Sequence, residues 1–400
     1  MTPHTLKIEQ ITKISLILFI SSLFFPIRHV FFTNSAYLTG AYSDFTSFSL
    51  YLSDIFLFIT WWGVLISRGG ARNFFHHVVK NIKWLFFWLI LAFLWHYREN
   101  STLNWYFLLK YAELIVAYGT IATIFKDKSL FKPFFWLFSA LTFFQSIFAI
   151  WQFVIQKSIG LKLLGEQVLN PNILGVAKIV SGGTKLIRGY GTFPHPNLLA
   201  AFLLFGIFIT IYLLINTSKK WQIFLLNIMV FVNILGLCVT FSRAGYFALG
   251  VGLILFFSHI FWNLTKDNQK INLSAWMPIF VVLISILTSF FIFRPYILTR
   301  ATITDQATIE RSQYNNIGLE MIKDKPIFGI GIGDSVLHME QYIGQKLEPW
   351  QKQPIHNYFL LSAAELGIPG ALILIWIFLS HLYRLVASIK YQVLSQKSLN

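Results

Sequence analysis

The sequence predicts an all-α fold: a polytopic transmembrane helical bundle with a large external loop that contains a short amphipathic helix. Three observations carry that expectation. Hydrophobic residues fill 56% of the 400 positions and charged residues only 12%, against about a quarter charged in an ordinary soluble domain. Apolar runs of about twenty residues, the length that crosses a bilayer core, recur along the chain. Short loops rich in Lys and Arg separate many of them. The chain reads as a single integral membrane domain over 1–400.

The runs give about ten candidate spans, near 11–32, 49–67, 82–97, 103–125, 134–155, 196–215, 221–241, 244–262, 276–293 and 357–381. The first apolar run, Ile14 to Phe25, lacks a small-residue cleavage site and reads as a signal anchor. The third span is short and the fourth carries Lys110 and Glu113, so the count is open by one. Those two residues share a helical face and are placed to neutralise each other. Asp54, early in the second span, has the same ambiguity between pairing and function.

Orientation follows from the basic short loops, which stay in the cytoplasm. Lys7 and Lys13 put the N-terminus there. Arg68, Arg72, Lys80, Lys83, then Lys126, Lys128, Lys132, then Lys219, Lys220, then Lys266 and Lys270 fall on the same side, as does the tail with Arg384, Lys390 and Lys397. The first opposite loop, 33–48, has no Lys or Arg. Both termini are therefore expected in the cytoplasm. Two long segments, 156–195 and 294–355, fall outside, where long loops escape the charge rule. Within the second, Thr308 to Lys325 reads as a helix lying along the membrane face. Tyr314, Ile317 and Met321 form its apolar stripe, Arg311 projects elsewhere, and Pro326 ends it.

The net charge of +16 fits anionic headgroups and topology rather than nucleic acid. The single Cys238 excludes an intrachain disulfide and a multi-cysteine metal site. His76 and His77 lie on the opposite side from His195 and lack metal-ligand spacing, so no metal site is expected. Gly329-Ile330-Gly331-Ile332-Gly333 superficially matches a dinucleotide fingerprint, but no strand precedes it. Neither nucleotide nor other cofactor is expected. Paired broken helices in inverted repeats, a mark of many transporters, are not evident.

The polar residues that stand out cluster at the external side. Arg243, in Ser242-Arg243-Ala244-Gly245, joins the seventh and eighth spans. It either snorkels to headgroups or offers a fixed cation to a phosphate, whose oxygens match the guanidinium fork. Arg311 is either a solvated loop charge or a second such cation. Arg188 precedes Gly189-Tyr190-Gly191-Thr192-Phe193-Pro194-His195-Pro196-Asn197, a punctuated turn in which Asn197 is placed to cap the sixth span. His356 opens the tenth span and titrates near neutrality, which suits acid–base work as well as a structural hydrogen bond. Glu365, further into that span, is either a functional carboxylate or the partner of a buried Arg.

These motifs, in this order, resemble the O-antigen ligase and O-antigen polymerase superfamily of bacterial membrane glycosyltransferases. Its members share a Gly-Thr-Phe-x-x-x-Asn turn, here Gly191 to Asn197, and a Ser-Arg-(Gly/Ala) turn, here Ser242-Arg243-Ala244. They share an arginine opening a periplasmic helix that ends in Pro-x-x-Gly-x-Gly, here Arg311 and Pro326 to Gly331. They share His-Asn-x-(Tyr/Phe)-Leu and then Glu-Leu-Gly, here His356 to Leu360 and Glu365-Leu366-Gly367. The resemblance covers about residues 185–375; many members carry one or two spans beyond the tenth.

The resemblance implies an inner-membrane enzyme that moves a glycan from an undecaprenyl-diphosphate carrier to an acceptor hydroxyl, without metal. Arg243 and Arg311 would stabilise the leaving diphosphate and His356 would take or hold the acceptor proton. Arg188, Asn197, Asn357 and Glu365 are the substrate-binding candidates. The partners implied are the lipid-linked donor, the bilayer, and a lipid, glycan or protein acceptor. A transporter or flippase of a lipid-linked or anionic solute is the competing reading; it requires charges spread through the midplane.

Overall fold

The computed structural model describes residues 3–31, 34–37, 42–67, 69–96, 102–181, 183–266, 273–301, 306–348 and 351–397. Arg68 and Lys270, used above for orientation, lie outside them.

Among the described residues twelve α-helices follow in order: α1 Pro3–Ser22, α2 Leu52–Ile66, α3 Gly70–His96, α4 Thr102–Ile124, α5 Phe131–Ile155, α6 Pro196–Ile215, α7 Lys220–Val239, α8 Arg243–Lys266, α9 Leu273–Ala301, α10 Gln306–Asp324, α11 Ser335–Ile343 and α12 Tyr358–Lys397. Seven described helices are long and apolar enough to cross a membrane: α3, α4, α5, α6, α7, α9 and α12. Leu52–Ile66 and Arg243–Ser258 are apolar but shorter. At 1.5 Å per residue the fifteen residues of α2 reach only about 22 Å.

Several expected boundaries move. α3 starts at Gly70, so Arg72, Lys80 and Lys83 lie in its first half and not in a loop. α1 ends at Ser22, well short of the expected 32. The chain then turns into β1 Arg28–Phe31, antiparallel to β2 Phe48–Tyr51, with Arg28 opposite Tyr51. Arg28, expected inside the first span, is thus outside it. A second hairpin, β3 Lys178–Ser181 with β4 Thr184–Ile187, lies in the 156–195 segment.

The main core joins α5, α6, α7 and α9 around Leu203, Ile207, Val230, Ile234 and Phe241, all fully buried. A smaller cluster joins α10, α11 and α12. Tyr314, Ile317 and Met321 are buried there, so the expected stripe on α10 is real. It faces α12. α11 was not expected, although Val336, Met339 and Ile343 after Asp334-Ser335 carry a helical period.

The glycine-rich run after α10 is a structural insert. α12 breaks at Gly367, whose φ of 76° and ψ of 170° only glycine adopts readily. The break frees backbone groups that the run takes up. Ile330 N–H donates to Ala364 O at 2.9 Å, and Ile368 N–H to Pro326 O at 2.8 Å. Phe328 stacks on Trp88 and Trp95 of α3, and Trp88 Nε1 donates to Leu366 O. A Cβ on Gly367 would lie 1.9 Å from Ile327 O. Gly367→Ala is expected to lower stability by roughly 1–3 kcal/mol from backbone strain alone, with the clash added. Thermal melts of the purified variant check this; an unchanged melting temperature would contradict it.

Candidate active site

The connection from α5 to α6 is set by two glutamines. Gln145 and Gln152 are two turns apart on α5 and both are fully buried. Gln152 Oε1 accepts from the N–H groups of Tyr190 and Gly191, and its Nε2 donates to Gly191 O and Glu166 Oε1. Gln145 Oε1 accepts from Thr192 N–H, and its Nε2 donates to Thr192 Oγ1 and Phe24 O. Gly191 has φ +60°, and a Cβ there would meet Gln145 Oε1 at 2.4 Å. The Gly-Thr-Phe turn is therefore held rigid from α5.

That turn aims His195. Its Nδ1 accepts from Asn197 N–H at 3.1 Å and caps α6. The expected capping role of Asn197 is corrected: His195 takes it because Pro196 occupies the first helical position. Asn197 Oδ1 instead accepts from Arg188 Nη2 at 2.6 Å. Arg188 is 4% exposed and its Nε also donates to Thr240 O, at 2.5 Å. One guanidinium thus joins the start of α6 to the turn before α8. Arg243 opens α8 just after that turn, half-buried. Ser242 Oγ accepts from Gly245 N–H.

At the start of α12, Asn357 Oδ1 accepts from the N–H groups of Phe359 and Leu360, an N-cap. His356 lies edge-on to Tyr314 of α10, ring centres 5.6 Å apart. Glu365 is 7% exposed and accepts from Ser335 Oγ at 2.6 Å. Its partner is thus the start of α11 and not a buried arginine, which was one of the two alternatives.

A cavity of about 1060 Å³ lies where these connections meet. Of the residues singled out in sequence, Asn197, Arg311, His356 and Asn357 line it, with His195 beside them. Arg188, Arg243 and Glu365 are not on its walls among the described residues. Sequence reasoning missed Arg28, Asp44 and Lys352, which are. Three cationic side chains (Arg28, Arg311 and Lys352) thus face one carboxylate, Asp44, across its walls. Arg28 Nη2 holds Asp44 Oδ1 at 2.6 Å, and Lys352 Nζ lies 3.1 Å from Glu340 Oε1.

The positive field acts on the imidazoles. Burial, then Arg188, His356 and Arg311, push His195 down to about 4. Burial and then Arg311 lower His356 below its usual value, against smaller upward pulls from the Pro354 carbonyl and Glu310. Both shifts favour the neutral ring near pH 7. A neutral imidazole carries one N–H and one acceptor nitrogen, so His356 can take a proton. The wall can hold an anion by its cations and take a proton by His356.

Residues 228–375 match the family model described as O-antigen ligase. No curated protein and no solved structure matches the chain. The matched segment holds Ser242-Arg243-Ala244, Arg311, Pro326 to Gly331, His356-Asn357 and Glu365-Leu366-Gly367. It supports the resemblance to the O-antigen ligase and O-antigen polymerase superfamily. That family indicates a glycosyl-transferring enzyme with lipid-linked glycan substrates, integral to a bacterial inner membrane.

Removing the Arg311 charge should let both imidazoles protonate more readily. In Arg311→Gln the NMR titration midpoints of His356 and His195 are expected to move to higher pH. Unmoved midpoints would show that Arg311 does not act on them.

Proposed function

We propose that the chain transfers a glycan from an undecaprenyl-diphosphate carrier to an acceptor hydroxyl at the extracytoplasmic face. One observation carries this reading: Arg311, Arg28 and Lys352 line one cavity with His356, whose lowered value favours the neutral ring, and Arg311 and His356 lie in the family-matched segment. The acceptor oxygen attacks the anomeric carbon and the carbon–oxygen bond to the diphosphate breaks. His356 takes the hydroxyl proton. The diphosphate leaves as an anion, which preorganised cations stabilise most strongly where water is scarce.

Arg311 is assigned direct contact with the diphosphate. Arg243, which is not on the walls of that cavity among the described residues, is assigned a share in stabilising the leaving group only as the resemblance implies. Asn197 and Asn357 are placed to orient substrate from the wall. Arg188 holds Asn197 and the Thr240 turn, and is better read as a positioning residue than as a ligand. Glu365 supports the start of α11. Segments 156–195 and 294–355 are the extracytoplasmic parts of the site, with both termini in the cytoplasm. No metal is required in this scheme, because guanidinium groups supply the positive charge. The acceptor, whether lipid, glycan or protein, is left open.

The test is transfer by purified full-length protein from a synthetic polyprenyl-diphosphate glycan. His356→Ala should lower the rate by about 10²–10⁴, the usual worth of a general base. Arg311→Ala and Arg243→Ala should abolish transfer while the protein still inserts, and EDTA should have no effect. Wild-type rates in a variant would remove that residue from the mechanism, and loss with EDTA would refute metal independence.

A further inference from the structure

A second cavity, of about 380 Å³, adjoins the first and shares Asp44, Phe45, Tyr51 and Pro354 with it. Most of its remaining walls come from the first half of the chain and from α11 and α12. Its chemistry is different. Four tyrosines line it, Tyr51, Tyr106, Tyr111 and Tyr358, with Phe107 among them. Its carboxylates are Asp44 and Glu365. Among the described residues its one cation is Lys110, held by Asp54 at 2.5 Å and Glu113 at 2.9 Å and 5.5 Å from the centre of the Tyr51 ring. With one cation to two carboxylates, this cluster leaves the lining with an excess of negative charge. Ser49, another wall residue, is 4% exposed, and its buried hydroxyl has no hydrogen-bond partner among the described residues.

We infer that this cavity selects the sugar, and that it takes an uncharged ring in preference to an acidic one. Aromatic faces suit the C–H faces of a pyranose. Carboxylate and tyrosine oxygens suit its hydroxyls, which need partners when buried. The Lys110 cluster, in which one cation meets two carboxylates, disfavours a uronate. A hydrocarbon chain would set the Asp44 and Glu365 carboxyl groups and the Lys110 cluster against apolar surface, at a desolvation cost. An anion belongs in the neighbouring cationic cavity, so a sugar diphosphate would span the two across their shared wall. This inference rests on the transferase reading only for that last step.

The test uses full-length protein in phospholipid nanodiscs with free disaccharides. Saturation-transfer NMR is recorded with diacetylchitobiose, maltose and a glucuronate-containing disaccharide, and phosphorus line broadening with inorganic pyrophosphate. At least one neutral disaccharide should receive saturation and the glucuronate should not. The signal should be lost in Tyr106→Ala and in Leu114→Trp, which fills the cavity from an exposed lining position. If Tyr106→Ala fails to fold, Leu114→Trp decides. Arg311→Ala should keep the sugar signal while losing pyrophosphate broadening. Sugar signal that survives Leu114→Trp, equal binding of the glucuronate, displacement by dodecanol, or no neutral disaccharide bound at all would each overturn the inference. Absent pyrophosphate broadening in the wild type would count against the transferase reading alone.

Discussion

A buried guanidinium ties together parts of the chain that the site needs at once. Arg188 reaches Thr240 O with one nitrogen and Asn197 Oδ1 with another. The first contact fixes the turn from which Arg243 starts α8. The second fixes the amide on the cavity wall. Both are hydrogen bonds donated by an ionised group, the stronger class, and the surroundings exclude the water that would compete. Gln145 and Gln152 add the depth reference by clamping the same turn to α5 and to Phe24, just after α1. The walls then have little freedom to drift.

What that rigidity supports is an electrostatic division. Arg28 and Lys352 each meet one carboxylate, so Arg311 leaves the first cavity with an excess of positive charge. Burial, and then Arg311, hold the imidazole of His356 below its usual value, so the arginine placed to grip an anion also helps to keep the base unprotonated. The adjoining cavity, whose only lysine among the described residues is held by two carboxylates, lacks that excess. The two chemistries meet at Asp44, Phe45, Tyr51 and Pro354.

Much of this was legible in the sequence, and the failures have physical causes. Hydropathy runs locate most helices because bilayer thickness fixes their length. The stripe on α10 was readable because Tyr314, Ile317 and Met321 repeat at helical spacing. Arg311, His356, Asn197 and Asn357 do line one cavity. Arg28 was hidden because Ile27, Val30, Phe31 and Phe32 continue the apolar run across the end of α1, so a hairpin looked like a span. Arg188 and Glu365 looked like ligands because sequence shows charge without showing partners. Only the fold reveals that Thr240, Asn197 and Ser335 already occupy them. The second cavity left no local signal, since its tyrosines come from distant segments.

The central claim is that the loops after α1, α5 and α9 form one anion-binding cavity open to the cell exterior. Labelling of Asn315→Cys, in a background with Cys238→Ser, tests it directly, because Asn315 lines the cavity next to Arg311. A membrane-impermeant maleimide should label the new thiol in intact spheroplasts, and a polyprenyl-diphosphate glycan should protect it. Labelling only after permeabilisation, or labelling that the lipid-linked glycan leaves unchanged, would contradict the account.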